Sequence, residues 1–219
     1  MEITWYGQSC FLIKAKDIKI VTDPFGNGLG LKVPKNLTAD AVTVSHQHFD
    51  HNNIAAVSGV SSEKPFVINS PGEYEVNNIE IIGVDSFHDS QKGALRGKNT
   101  IFVFHLEDLG VCHLGDLGHV LLDEELEKFN SVDILLVPVG GVYTINAEKA
   151  VEVINQIEPK IVIPMHYKIE GLSMESSLDG VDKFLKEIGA DNNPEETLKI
   201  SKKDLPEEER KVVILKPRQ

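Results

Sequence analysis

Cysteine is scarce in this chain: two residues in 219, Cys10 and Cys112. Two thiols at this length do not build a disulfide framework, so a reducing compartment and a cytoplasmic location are expected. Positive charge is also in short supply. Lys and Arg total 22 against 34 Asp and Glu, a formal net charge of −12. That balance argues against bulk binding to nucleic acid or to anionic membranes, though not against a local basic site. No apolar run approaches the roughly 18 residues that a bilayer span needs. The opening MEITWYGQSCF has no basic stretch followed by an apolar one, so no secretory leader is expected. Repeats, linkers and low-complexity tracts are missing too. With 41% hydrophobic residues, a folded core and a single domain over 1–219 are expected.

What is present begins as strand text. ITWY, CFLIKA and IKIVTD are short, β-rich and separated by turn chemistry. Residues 24–38 hold proline and glycine and read as loop. AVTVS at 41–45 is a compact apolar run, expected as a buried strand. Further strands are expected at 65–69, 73–76, 79–84, 99–107, 110–116 and 133–139, with a hairpin turn around Asp108-Leu109-Gly110. Ala147, Ala150, Val151 and Ile154 lie on one helical face, with Asn146 as N-cap and Pro159 as stop. Leu178, Val181, Leu185 and Ile188 predict a second helix closed by Gly189. TLKIS and KVVILK predict a final strand pair around DLPEEER. Many strands with few helices suggest two sheets face to face with helices outside.

The informative text is Val44-Ser45-His46-Gln47-His48-Phe49-Asp50-His51. A buried strand delivers three imidazoles and a carboxylate to a loop, where a rigid scaffold usually presents ligands. Imidazole nitrogen and carboxylate oxygen suit Zn²⁺ and similar divalent ions. His46 and His48, two apart, can turn the same way at a strand end, while Asp50 and His51 come one bend later and can face a second metal. Three more ligand types directly follow strand text: His88, Asp116 and His166.

Other residues compete for the site. Strand alternation puts His113 on the face opposite Asp116, so His113 is expected as a packed or hydrogen-bonded sheet histidine. His105 lies mid-strand and has the same expectation. His119, three residues past Asp116 in a glycine-containing loop, is a candidate substrate contact or a solvent-exposed residue. Asp23, after IKIVT, is a candidate carboxylate for orienting the ligand loop, or a turn residue before Pro24. The loop around Arg96, Lys98 and Asn99 is locally basic: Arg96 is a candidate substrate contact, or part of a solvated turn. Residues 24–36 and 167–175 are candidates to line the mouth, on position alone. Cys10 and Cys112 are read as core thiols.

Taken together, His46-x-His48-x-Asp50-His51, His88, Gly115-Asp116 and His166 resemble the metallo-β-lactamase superfamily. TWYGQSCFLI, VTDPFG, HLGDLGH and PMHY are similar to its UlaG-like, L-ascorbate-6-phosphate lactonase-like branch of small hydrolases. N-acyl-phosphatidylethanolamine phospholipase D is similar to that branch as well. The resemblance implies an α+β fold, a four-layer αββα sandwich with a dinuclear site at one edge. It implies one metal on His46, His48 and His88, a second on Asp50, His51 and His166, and Asp116 bridging them. Two divalent ions are implied, zinc first, with manganese or iron as alternatives. Some members carry His where Gln8 stands here.

The expected activity is hydrolysis of a small ester, lactone or phosphate ester by hydroxide activated at the dinuclear centre. Asp50, Asp116 and His166 are the expected catalytic residues, with Asp50 or His166 moving the proton. Two other readings stand beside it: a phosphodiesterase or nuclease acting on nucleic-acid ends, and a non-catalytic metal-binding protein. A small-molecule substrate is the expected partner, and homo-oligomerisation is left open.

Overall fold

The computed structural model describes residues 1–61, 64–129, 131–174 and 177–219. Strands β1 (Glu2–Gly7), β2 (Cys10–Lys14) and β3 (Lys19–Thr22) open the chain. A long loop leads to β4 (Thr38–Ala39) and β5 (Ala41–Thr43). A 3-10 turn, Ile54–Ala56, precedes β6 (Ser58–Gly59) and β7 (Phe66–Ile68). An antiparallel run follows: β8 (Gly72–Val76), β9 (Ile79–Phe87), β10 (Lys98–Leu106) and β11 (Leu109–His113). Next come α1 (Asp123–Leu126), β12 (Ile134–Pro138), α2 (Ala147–Ile157), β13 (Ile161–Met165) and α3 (Val181–Ile188). The chain closes with β14 (Leu198–Lys199), a 3-10 turn at Lys202–Asp204, and β15 (Lys211–Val212).

These strands form two large mixed sheets, ordered β14-β1-β2-β3-β5-β7 and β15-β13-β12-β11-β10-β9-β8, plus the small β4-β6 ribbon. The first sheet shows the period of two expected of a strand buried on both faces. Ile3, Trp5, Phe11, Ile13, Ile20 and Ala41 join the core shared with Phe102, Phe104 and Leu136 of the second sheet. Tyr6, Cys10, Val21 and Val42 point the other way, into a cluster with Phe25, Leu29, Leu31, Leu37 and Val57. Loop residues therefore cover the outer face of the first sheet. On the second sheet α2 packs against β12, with α3 alongside α2. The result is an α+β sandwich of two facing sheets. Cys10 and Cys112 are buried and unpaired, and burial pushes both thiols up, so they remain protonated core residues.

Local signals explain most boundaries. The Asn146 side chain accepts from Lys149 N at 3.1 Å and starts α2, which stops two residues before Pro159. Gly189, at φ +73°, ends α3. The tail differs from the expected strand pair. β14 pairs antiparallel with β1 (Ile3 opposite Leu198), whereas β15 runs parallel to β13 (Val162 opposite Val212). Each half of the tail satisfies the free backbone edge of a different sheet, and the charged segment between crosses from one to the other. Lys202 Nζ pins the crossing to Asp133 at 2.9 Å. The four-residue α1 was too short to show a helical period.

Topology decides where the functional residues meet. In the first sheet β3 and β5 run parallel, and β1 runs with them because two antiparallel pairings separate it from β3. In the second sheet β11 and β13 run with β12, and two antiparallel steps give β9 the same direction. The C-terminal ends of β1, β3 and β5, and of β9, β11 and β13, thus emerge at one edge of each sheet. Those ends carry Gln8, Asp23, the 46–51 loop, His88, Asp116 and His166. Among the described residues, no helix is long and apolar enough to cross a membrane.

Phe104 is fully buried between the sheets, with the Phe102 ring centroid 6.4 Å away. Phe104→Ala is expected to lower the unfolding free energy by about 3–5 kcal/mol in urea denaturation. A loss below about 1 kcal/mol would contradict this packing.

Candidate metal centre

Asp116 occupies the middle of the strand-end cluster. Its Oδ2 lies 3.3 Å from Nε2 of His51, of His88 and of His166, and 3.9 Å from Nε2 of His46. Ser9 Oγ donates to its Oδ1 at 3.3 Å, and its own N–H donates to Asn99 Oδ1 at 3.0 Å. Gly115 makes this turn feasible. It has φ +56°, and a Cβ there would lie 2.4 Å from Asn99 Oδ1 and 2.6 Å from Ser45 Cβ.

The other ligand types group on either side. Ligand atoms of His46, His48 and His88 lie within 4.8 Å of one another, as do those of Asp50, His51 and His166. A third such group, His46, His51 and Asp116, joins the two. All seven ligand candidates are thus brought together, and all but His48 are buried.

Asp23 sets the orientation of two imidazoles at once. Ser45 Oγ donates to Asp23 Oδ2 at 2.6 Å and so has only lone pairs to offer His46 Nδ1, 2.9 Å away. His46 Nδ1 therefore carries the proton and Nε2 is bare. His51 Nδ1 donates to the same Asp23 oxygen at 2.9 Å, which turns its Nε2 toward the cluster. This carboxylate–imidazole relay is the arrangement that fixes metal-ligating histidines. Nε2 of His46 is buried without a hydrogen-bond partner among the described residues. Orphaned buried nitrogens are costly, and a divalent cation satisfies them. The donor set, five imidazoles and two carboxylates, fits zinc and its neighbours.

Charge in the metal-free cluster is uneven. Burial drives the His46 pKa down to about 3 and also lowers that of His48. Burial opposes a charged His51, but Asp116, Asp23 and Asp50 together outweigh it and raise its pKa well above the usual value. Burial likewise opposes an ionised Asp50; the His51 hydrogen bond and charge prevail and hold it down to about 2. Asp116 is held well below the carboxylate range by His166 and His51, again against burial.

A cavity of about 310 Å³ opens onto the cluster, walled by His48, Phe49, Asp50, His88, Arg96, Asp116, Tyr143, His166 and Met174. Arg96 is thus on the wall. His119 is not. Its Nδ1 donates to Val120 O at 2.8 Å and its Nε2 accepts from Phe87 N at 3.3 Å, so the ring fastens the 118–120 turn to the end of β9. Residues 24–36 do not form the mouth either: Phe25, Leu29 and Leu31 are buried beneath the first sheet. From 167–175, Met174 reaches the wall, Tyr167 is buried, and Glu175 lies outside the described residues.

His113 is buried, and its Nε2 donates to Ser9 O at 2.9 Å. It is the hydrogen-bonded interior histidine that was expected, although β11 ends at His113 and Gly115 breaks the alternation before Asp116. His105 lies 3.5 Å from Glu80 at the far side of the sheet. Tyr143 was missed. It lies five residues past the end of β12, beyond the Gly140-Gly141 pair, and so escapes a rule that looks for ligand types directly after strand text. Gln8 directly follows β1 and Asp89 adjoins His88, but a neutral amide is not a usual ligand type, and the end of β9 already had a ligand candidate in His88. The Gln8 amide donates to Asp50 Oδ2 at 3.4 Å, and its backbone carbonyl accepts from His166 N at 3.2 Å.

An NMR titration of imidazoles in the metal-free protein tests this electrostatic picture. His51 is expected to stay charged at pH 7, where its raised pKa keeps the proton on, and His46 to stay neutral down to about pH 4. Both rings titrating near the ordinary value of about 6.5 would refute it. Gly118 offers a steric test. A Cβ there would lie 2.3 Å from Asp89 N and from His88 C, both backbone atoms. Gly118→Ala should lower the melting temperature by several degrees and disturb the His88 resonances; an unshifted protein would contradict the close approach.

Residues 2–166 match the Beta-lactamase superfamily domain family. A UPF0173 metal-dependent hydrolase from Carboxydothermus hydrogenoformans is 30% identical over 191 residues, 76% of this chain and 84% of that one. Its counterpart from Archaeoglobus fulgidus is 28% identical over 87% of this chain and 93% of that one. Among solved structures, a candidate Zn-dependent hydrolase of the metallo-β-lactamase superfamily from Thermotoga maritima shares 42% identity, with TM-score 0.76 and coverage of 98% and 97%. A metallo hydrolase from Ignicoccus hospitalis, at 20% identity and TM-score 0.66, shares the fold over 91% of this chain and 99% of that one. With the domain match spanning most of the sequence and relatives alike over most of their length, the chain belongs to the metallo-β-lactamase superfamily and, within it, to the metal-dependent hydrolases of the UPF0173 group.

Proposed function

We propose that this hydrolase works with a dinuclear metal centre and cleaves a small ester, lactone or phosphate ester. In this reading His46, His48 and His88 hold one ion, Asp50, His51 and His166 hold the other, and Asp116 lies between them. The observation that carries it is the position of Asp116 Oδ2, 3.3 Å from imidazoles belonging to both groups. Two divalent ions bound there, zinc favoured, would acidify water and draw electrons from a carbonyl or phosphoryl oxygen.

The chain's own residues do the rest. Asp23, through Ser45 and His51, keeps imidazole Nε2 atoms aimed at the centre. Asp50 is on the cavity wall with its Oδ2 engaged by Gln8; its Oδ1 takes the proton that water gives up and passes it to the leaving group. His166, also on the wall, is fixed by its backbone bond to Gln8 and helps confine the reacting atoms. Phe49, Tyr143 and Met174 give the cavity apolar walls that exclude water and receive a hydrocarbon portion of the substrate. A volume of about 310 Å³ suits a small molecule. Among the described residues Arg96 is the one Lys or Arg on that wall, which favours a small molecule over a nucleic-acid strand as the occupant.

Metal analysis of the purified protein, joined to a screen of bis-p-nitrophenyl phosphate, lactones and thioesters, tests this reading. About two ions per chain are expected. Asp116→Ala should lose at least one ion and more than about 100-fold in kcat/KM, beyond what removal of an outer hydrogen-bond partner costs. His113→Ala should retain the metal. A wild-type protein without bound ions, or an Asp116→Ala variant that keeps both, would overturn the proposal.

A further inference from the structure

Arg96 is the exception on the cavity wall. The protein's net charge is −12, yet this guanidinium has no carboxylate within ion-pairing distance among the described residues. Its neighbour Lys98 is already paired, with Asp85 at 3.2 Å. The Arg96 Cζ lies over the Tyr143 ring, 5.3 Å from its centre, so the ring supports the guanidinium on the cavity wall. Both residues line the cavity that also exposes His48, His88 and Asp116.

The loop carrying Arg96 is built to hold it still. The buried Asp89 carboxylate accepts four backbone N–H groups: Gln91 at 2.7 Å, Gly93 at 3.0 Å, Leu95 at 3.0 Å and Arg96 itself at 2.7 Å. The loop is closed by His88 N donating to Gly97 O at 3.1 Å. One clamp therefore fixes the backbone of a ligand candidate at one end and of the cation at the other. Ordering this many backbone groups costs conformational entropy, and a merely solvated turn has no need of it. A surface arginine also needs no aromatic platform and no shared wall with a cluster of ligands.

From this arrangement we infer that the substrate carries an anionic oxygen group, carboxylate or phosphate, which Arg96 binds, and that Asp89 is the positioning residue for Arg96. The inference rests on the hydrolytic reading of the adjoining site but concerns a different part of the substrate. Arg96 offers a planar, permanently charged fork, which suits two oxygens of one anionic group. The anion would occupy the Arg96–Tyr143 side of the cavity, with the scissile bond toward Asp116.

The test is isothermal titration of protein with measured metal content, using three probes of one shape: phenylphosphonate, phenylacetate and neutral phenylacetamide. Comparing wild type and Arg96→Gln at equal metal content cancels whatever the ions themselves contribute. Arg96→Gln should weaken at least one of the two anions by about 10–100-fold, as expected for a charged hydrogen-bonded contact, and change the amide little. Which anion loses more identifies phosphate or carboxylate as the group. Arg96→Lys should recover part of the loss, because it restores charge without the fork. Asp89→Asn should weaken the same anion while metal content holds; unchanged affinity there would remove Asp89 from the account. Equal anion affinity in wild type and Arg96→Gln would overturn the inference. Arg96-dependent binding in a protein that holds no metal and cleaves nothing would leave the inference standing and defeat the hydrolytic reading instead.

Discussion

A carboxylate withdrawn from water needs compensating partners, and Asp116 finds them in both sheets at once. It is 2% exposed, and three imidazoles approach the same oxygen to 3.3 Å. Those imidazoles arrive after β5, β9 and β13, while Ser9 and Asn99 hold the remaining oxygen and the backbone. Without such partners a buried charge costs several kcal/mol. The edge of the sandwich where these strand ends emerge is therefore organised around this group. The remaining cluster residues are placed to reach it or to orient those that do.

The surrounding backbone accepts strain to achieve this. Gln8, Asp23 and His166 all occupy left-handed conformations, with φ of 48°, 39° and 52°. Each lies directly beyond a strand end, where the chain must turn sharply to bring its side chain back over the edge. Such conformations cost on the order of 1–3 kcal/mol each and persist only where surrounding contacts enforce them. Those contacts are visible: Asp23 N donates to Thr43 O at 2.9 Å, and His166 N to Gln8 O at 3.2 Å. Gly140 serves the same end, since a Cβ there would lie 2.1 Å from His166 O.

Much of this was legible in the amino-acid sequence, for definable reasons. Buried strands announce themselves as apolar runs, and polar ligand types directly after such runs stand out against them. His46, His48, Asp50, His51, His88, Asp116 and His166 were singled out that way, and the fold brings them together. What depends on three-dimensional closure was not legible. The clamp of Asp89 on four backbone N–H groups uses a residue type found in countless turns. His119 looked like a site residue by proximity in sequence, but backbone groups at Phe87 and Val120 claim both of its nitrogens. The destination of the tail was hidden because two sheet edges compete for it, and local pattern does not report which edge is free. Left-handed backbone at Asp23 and His166 is equally invisible, since neither residue type demands it.

The architecture separates two tasks within one small cavity. The Asp116 side holds ligand types aimed by hydrogen-bond relays, and the Arg96–Tyr143 side presents a supported cation against apolar wall. Such a division is what a hydrolase needs if binding energy from a non-reacting part of the substrate is to position the bond being broken. The central claim is that Asp116 lies between two metal ions. Anomalous diffraction from zinc-loaded crystals, collected across the zinc edge, tests it most directly. The account predicts two peaks flanking Asp116, one beside His46, His48 and His88 and one beside Asp50, His51 and His166; a single peak, or peaks that leave Asp116 outside the coordination of both, would contradict it.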